Sequence, residues 1–212
     1  MITAHGGALG TGRNSLKYFE EMEKHPEFEA IEVDIRRAGG KLWLGHVIVP
    51  FSKEKRIPLE FVFEFCKRTG KRVNCDVKGR GMVHDVVKIA KDLNAVEYIY
   101  FTGAVSKHEI PDLGGAIAYL NNSFYPYSLR DANVPAIKEY IASFKAPGIK
   151  GLNVNYKFAD ERVREAVTKA GLGLSVFTVD DLDALQKIVN SGYDNVTTNE
   201  PVKAYEFLGK QA

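Results

Sequence analysis

The chain has 212 residues, of which 45% are hydrophobic and 26% charged, the composition of an ordinary globular protein. A disordered chain would carry far fewer apolar residues for its charge, and collagen-like character is excluded because the glycines and prolines follow no period. Lysine and arginine (29) nearly balance aspartate and glutamate (27), and a net charge of +2 gives no argument for nucleic-acid binding.

The apolar runs are all too short for a transmembrane helix. The first residues, 1–5, have neither the basic region nor the apolar stretch of a signal peptide, which predicts a cytoplasmic protein. Cys66 and Cys75 are too few for a disulfide framework, and we expect both to be buried and reduced.

Eight segments rich in β-branched residues are predicted as strands, in chain order at 2–5, 30–36, 72–78, 96–102, 116–120, 151–155, 172–179 and 194–198. Amphipathic stretches between them predict helices at 15–22, 59–68, 83–93, 135–144, 160–170, 181–189 and 201–209. Asn14 or Ser15 is the expected N-cap of the first helix.

Strands that alternate with helices predict a parallel sheet, and eight is the number that closes a (β/α)₈ TIM barrel. A doubly wound open sheet is the alternative, but the glycine-rich loop at 6–12 lacks the dinucleotide-binding spacing. With no internal repeat or linker, the chain is predicted to form one domain over 1–212.

Acidic residues alternate with apolar ones in two of these strands. Glu32 and Asp34 share one strand face, and Asn74, Asp76 and Lys78 share one face of the next strand. The helix-facing side of a barrel strand is apolar, so the polar residues are expected to point inward. Three inward carboxylates form an oxygen site suited to Mg²⁺ or Ca²⁺; a salt-bridged interior neutralised by Lys78 is the alternative.

Two histidines are placed where such a site could use them. His5 ends the first strand, and His46 follows a short hairpin that turns at Gly39 and Gly40. Either could be a structural histidine. The other three, His25, His84 and His108, are expected to be solvated surface residues.

The order of these residues resembles the glycerophosphodiester phosphodiesterase family, which is similar to the phosphatidylinositol phospholipase C barrels. The resemblance rests on His5, Asn14-Ser15-Leu16, Glu32-Val33-Asp34, His46 and Asp76-Val77-Lys78, and near the end on Val176-Phe177-Thr178-Val179 and on the segment 194–201. It therefore spans nearly the whole chain.

The resemblance implies a (β/α)₈ fold and a divalent cation, Mg²⁺ or Ca²⁺, held by Glu32, Asp34 and Asp76. It implies His5 and His46 as the acid–base pair. Lys78 would contact the substrate phosphate. Phe177 is expected to be a wall of the substrate pocket or a core aromatic residue.

The chain departs from the family pattern at several places. Gly6 stands where the family has a phosphate-binding arginine, which leaves either an open slot beside Gly6 or a compensating contact from Arg13 to the substrate phosphate. Arg13 itself replaces a family glutamate. Val47 replaces an aspartate and Asp76 a glutamate, the latter as in the sphingomyelinase D branch. The 30 positions from His46 to Asp76 are too few for the family's inserted subdomain.

The predicted function is metal-dependent hydrolysis of glycerophosphodiesters to an alcohol and glycerol 3-phosphate. A phospholipase D-like enzyme that releases cyclic phosphate from lysolipids is an alternative. A barrel that binds phosphoesters without turnover is another, motivated by Gly6, Arg13 and Val47.

Overall fold

A computed structural model describes residues 1–47, 56–121 and 146–209, together with 135, 139 and 141–143. It contains a nine-stranded sheet, with strands β1 (Ile2–Ala4), β2 (Ala30–Ala38), β3 (Lys41–Leu44), β4 (Arg72–Val77), β5 (Ile99–Gly103), β6 (Ile117–Asn121), β7 (Ile149–Asn155), β8 (Gly173–Phe177) and β9 (Asn195–Thr198). Eight of them are parallel, and β1 pairs with both β2 and β9, which closes the barrel. The predicted TIM barrel is confirmed, and the open-sheet alternative is wrong.

Strand β3 is the return of the predicted hairpin. It pairs antiparallel with the end of β2, which extends to Ala38, past the ring of parallel strands. The expected strand at 96–102 begins late, because Val96–Tyr98 form a 3₁₀ turn between a helix and β5. The β-branched and aromatic side chains of this turn suggested a strand, but the paired residues of β5 begin at Ile99, opposite Val73.

The helices between the strands are α1 (Leu16–Glu23), α2 (Leu59–Thr69), α3 (Val83–Asp92), α4 (Glu161–Lys169), α5 (Leu182–Val189) and α6 (Pro201–Phe207). Asp160 and Asp181 cap α4 and α5 through their carboxylates, and Gly70 ends α2 in the left-handed conformation that glycine adopts without strain. The predicted helix at 135–144 lies largely outside the described residues.

The apolar faces of the helices pack on the outward faces of the barrel strands. This shell includes Val33, Cys75 and Cys66, and both cysteines are free and fully buried as expected. Polar side chains fill the barrel interior, among them Thr3, Asn74, Asn153, Ser175 and Asn195. No helix in the described residues is long and apolar enough to cross a membrane.

Candidate active site

Three carboxylates meet at the carboxyl end of β2 and β4. The strand register places Glu32 beside Asn74 and Asp34 beside Asp76. Because alternate residues of a strand share a face, all four side chains point into the barrel. One oxygen from each of Glu32, Asp34 and Asp76 lies within 4.8 Å of the others.

Lys78 lies at the upper edge of this cluster. Its Nζ is 2.7 Å from Asp34 Oδ1 and 2.5 Å from Asp76 Oδ2. One ammonium cannot balance three carboxylates, and Glu32 has no ion pair with it among the described residues.

The cluster fits a hard divalent cation. Asp76 Oδ1 is buried with no hydrogen-bond partner in the described residues. The bare Cα of Gly103 lies against this oxygen, where any side chain would overlap it. A buried carboxylate oxygen without a donor is unfavourable, and a cation shared with Glu32 and Asp34 would satisfy it. Oxygen donors alone are the set that Mg²⁺ and Ca²⁺ prefer.

The three acids differ in their titration. Burial raises the pKa of Glu32 well above its usual range, and repulsion from Asp34 and Asp76 adds to the effect. Burial is also the largest single effect on Asp34 and raises its pKa, but the charge and hydrogen bond of Lys78 and the hydrogen bond from Asn14 together outweigh it, and the net shift is downward. For Asp76 burial dominates and the pKa is raised. The repulsion within the site therefore falls chiefly on Glu32.

Glu32→Gln is expected to stabilise the cation-free protein. The folded state binds the Glu32 proton more tightly than the unfolded state, so stability is lost as the pH rises through the raised folded pKa. Removing a buried negative charge that two neighbouring carboxylates repel should add about 1–2 kcal/mol at neutral pH, or about 2–8 °C in Tm. Thermal unfolding in chelator measures this, and the gain should shrink as the pH is lowered.

Asp34→Asn is the matched control for Glu32→Gln, because it takes away a partner of Lys78. Its Tm in chelator should fall below that of the wild type. A Glu32→Gln protein less stable than wild type in chelator at neutral pH would show that Glu32 carries no such repulsion.

His5 is held by two hydrogen-bonded side chains from the loops that follow the last two barrel strands. Its Nδ1 is 3.0 Å from Asn199 Oδ1, and Asn199 Nδ2 donates to Asp180 Oδ2 at 2.7 Å. A carboxylate only accepts, so the amide nitrogen of Asn199 faces Asp180 and its oxygen faces His5. His5 therefore carries its proton on Nδ1. Its Nε2 keeps a free lone pair, 3.9 Å from Glu32 Oε2.

Burial also lowers the pKa of His5, although the hydrogen bond to Asn199 opposes this. The imidazole is thus neutral at neutral pH and its Nε2 is ready to accept a proton. Neither Asn199 nor Asp180 is among the site residues predicted from the sequence.

His46 lies on the opposite side of the carboxylates, at the end of the β3 hairpin. Its Nδ1 is 3.4 Å from Asp34 Oδ1, and its side chain is 49% exposed. Both predicted histidines therefore flank the acid cluster. Of the other three, His84 and His108 are exposed as expected, whereas His25 is only partly exposed, because its ring stacks on Phe28 at 4.5 Å.

Asn14 is part of the site and does not cap α1. Ser15 is the cap, because its hydroxyl accepts from the backbone N–H of Tyr18. Asn14 donates from Nδ2 to Asp34 Oδ2 at 2.8 Å and accepts from the Asp34 backbone N–H at 3.0 Å. These two bonds fix the Asp34 carboxylate.

The structure contradicts an open slot at Gly6. The Gly6 backbone N–H donates to Glu32 Oε2 at 2.6 Å, and a Cβ at Gly6 would lie 2.8 Å from that oxygen. The missing side chain makes room for the Glu32 carboxylate. Arg13 is exposed in the same loop and lines the cavity above the acids.

Comparison with solved structures identifies the kind of barrel. A glycerophosphodiester phosphodiesterase from Parabacteroides distasonis has a TM-score of 0.74 at 18% identity, over 98% of this chain and 96% of that one. The enzyme of the same name from Agrobacterium tumefaciens has a TM-score of 0.71 at 13% identity, over 98% of both chains. An Oleispira antarctica phosphodiesterase, solved with the product sn-glycerol-3-phosphate, has a TM-score of 0.74 at 15% identity, over 99% and 97%.

The chain has the glycerophosphodiester phosphodiesterase fold. No protein-family model matches it, and no curated protein matches it with statistical significance. Because the identities are below 20%, what is shared with the glycerophosphodiester phosphodiesterase structures is the architecture.

Within the barrel, one cavity of about 340 Å³ joins the predicted residues. It is lined by His5, Arg13, Glu32, His46, Asp76, Lys78 and Phe177. Asp34 lies directly beneath it, in contact with Lys78. The structure thus brings together every residue that the sequence placed in the site.

The described residues of strands β5 to β8 that line the cavity are uncharged, whereas Asp180 lines it from the loop after β8. The uncharged residues are Thr102, Asn121, Asn153 and Phe177. Asn121 Oδ1 accepts from Asn153 Nδ2 at 2.8 Å and from the Gly103 backbone N–H at 3.1 Å, which fixes the amide orientation. The charged groups on the opposite side thus face a wall of amides and hydroxyls with a single aromatic ring.

Proposed function

We propose that the protein is a divalent-cation-dependent phosphodiesterase that hydrolyses glycerophosphodiesters to an alcohol and sn-glycerol 3-phosphate. The observation that carries the proposal is the site at the carboxyl end of the barrel, where three carboxylates and Lys78 lie between two histidines. The carboxyl end of a TIM barrel is where catalytic residues collect. Retention of all these groups argues against a barrel that only binds phosphoesters.

Glu32, Asp34 and Asp76 would hold the cation, Mg²⁺ or Ca²⁺. When bound, such an ion neutralises charge on phosphate oxygens that would otherwise repel a nucleophile. Lys78 lines the cavity at the edge of the cluster and would contact a non-bridging oxygen of the same phosphate.

His5 is assigned as the general base. Its Nε2 accepts the proton of the attacking hydroxyl, and Asn199 and Asp180 hold the ring for this role. His46 is assigned as the general acid, which protonates the leaving alkoxide. Its position at the half-exposed edge of the cavity suits a leaving group that departs toward solvent.

The uncharged wall favours a small polar substrate over a lysolipid. Amides and hydroxyls complement the hydroxyl groups of glycerol, whereas an acyl chain would need apolar surface. The described wall offers one such side chain, Phe177. The described part of the wall therefore complements a glycerophosphodiester better than a lysolipid.

Arg13→Ala is expected to raise KM for a glycerophosphodiester by about 10-fold and to leave kcat nearly unchanged. No arginine side chain extends from position 6, so Arg13 is the cavity-lining group in this loop that can pair with phosphate charge. A hydrogen bond to a charged group contributes about 1.5–3 kcal/mol, and exposure of Arg13 reduces this value. Steady-state kinetics at two salt concentrations test it, with Arg13→Lys as the control; an unchanged KM makes Arg13 a solvated loop residue.

A substrate panel tests the proposed function. Glycerophosphoglycerol, glycerophosphoinositol, glycerophosphocholine and a lysophospholipid would each be incubated with Mg²⁺, Ca²⁺ or chelator. We expect turnover of the glycerophosphodiesters with a cation only. Turnover of the lysophospholipid alone would favour the phospholipase D-like alternative, and binding without turnover would favour the non-catalytic one.

A further inference from the structure

Arg36 extends the polar face of β2 beyond the barrel. It follows Asp34 by two residues, so Glu32, Asp34 and Arg36 lie on one face of the strand at rising height. Beside this part of β2, Lys78, the residue after β4, lies on one side, and the end of the β3 hairpin lies on the other.

The Arg36 guanidinium joins these two flanking segments. Its Nε and Nη2 donate to the backbone carbonyl of His46 at 3.1 and 3.0 Å. Its Nη1 donates to the backbone carbonyl of Lys78 at 2.7 Å. One side chain thus binds the backbone of both residues that are assigned to the leaving group and the phosphate.

Among the described residues, backbone hydrogen bonding to β2 ends at Gly45 in the segment after β3 and at Lys78 in the segment after β4. The Gly45 backbone N–H donates to Asp34 O at 2.9 Å, and the Lys78 N–H donates to Ile35 O at 3.0 Å. Across the described ranges, the two bonds from Arg36 are the only hydrogen bonds to the His46 backbone. Arg36 therefore holds the His46 backbone in place by hydrogen bonds, as the bonds between strands hold the backbone of the metal-site acids.

We propose that Arg36 is a positioning residue that fixes the His46 imidazole relative to the Lys78 ammonium, so that both act on one phosphodiester. The inference rests on the proposed function and deepens it. A guanidinium presents its donors in a rigid fork that spans both carbonyls, whereas a lysine ammonium is a single point that reaches one of them.

Arg37 provides a matched control on the same strand. It lies on the other face of β2, pairs with Asp85 and donates from Nη2 to the Gly81 carbonyl at 2.7 Å. Arg37 carries the same charge as Arg36, lies on the same strand and makes a similar bond to a backbone carbonyl. Among the described residues it contacts neither His46 nor Lys78.

The test compares Arg36→Lys and Arg36→Gln with Arg37→Lys on two substrates. One is a glycerophosphodiester with an alkoxide leaving group, and the other is a 4-nitrophenyl phosphodiester whose leaving group needs no proton. We expect kcat for the alkyl substrate to fall by about 10–10²-fold in both Arg36 variants, the loss that follows small misplacement of a catalytic group. Turnover of the nitrophenyl substrate should fall much less, and Arg37→Lys should resemble the wild type on both.

Equal losses on the two substrates, or Arg36→Lys kinetics like those of Arg37→Lys, would overturn the positioning role. Tm and cation affinity, measured in the same variants, should match the wild type; a fall in either would assign Arg36 to general stability. A wild-type protein that turns over neither substrate would instead refute the proposed function, so the two failures are distinguishable.

Discussion

Asp76→Asn is expected to reduce kcat/KM for a glycerophosphodiester by about 10³-fold or more, with a parallel loss of cation affinity. Asp76 carries the buried oxygen without a partner, and an amide nitrogen at that position would present a donor to a cation. The second oxygen would still contact Lys78. Loss of the ion therefore removes the largest source of positive charge for the phosphate.

Calorimetric titration of the variant with Mg²⁺ and Ca²⁺ measures the cation affinity. Steady-state assays over the same range of cation concentrations measure kcat/KM. Asp92→Asn, on the exposed end of α3, is the control for loss of one negative charge. Wild-type affinity and turnover in Asp76→Asn would refute the three-carboxylate site.

His46→Ala is expected to lower the rate on an alkyl phosphodiester by about 10²–10⁴-fold. On a 4-nitrophenyl phosphodiester the loss should be far smaller, because nitrophenolate departs without a proton. His5→Ala should lower both rates by a similar factor, because removal of a proton from the attacking hydroxyl does not depend on the leaving group.

The ratio of the two rates in each variant is the measurement. If His46→Ala lowered the rate on both substrates by the same factor, His46 would not be the general acid, and a structural role for it would follow. If the pattern appeared in His5→Ala instead, the acid and base assignments would be exchanged.

The sequence predicted the barrel and the acid cluster because both depend on local periodicity. The alternation of Glu32 and Asp34 with apolar residues determines which face they occupy once a strand forms, and parallel register then brings Asp76 beside Asp34. The predicted number of strands, eight, indicated a closed barrel. The 3₁₀ turn that was mistaken for the start of β5 altered neither the predicted barrel nor the predicted acid cluster.

Contacts between distant segments could not be predicted in the same way. Asn14 is 20 residues from Asp34, and its apparent role as a helix cap is a local pattern that Ser15 fulfils. Asn199 is 194 residues from His5. The only signal for it was its place in the segment 194–201, which carried the family resemblance but indicated no partner.

Gly6 shows how a missing side chain can mislead. From the sequence it suggests empty space, since the family has an arginine there. In the structure the space holds the Glu32 carboxylate, which accepts the Gly6 backbone N–H. Position 6 thus contributes a backbone donor to a metal-site acid, and Arg13 is the cationic side chain of this loop that lines the cavity.

The most direct test of the account is ³¹P NMR of glycerophosphoglycerol incubated with the purified protein in ¹⁸O-labelled water. We predict that, with Mg²⁺ or Ca²⁺, the substrate signal is replaced by that of sn-glycerol 3-phosphate containing one ¹⁸O atom, and that chelator prevents the reaction. A diester signal unchanged in the presence of either cation, or turnover that persists unchanged in chelator, would contradict the central claim.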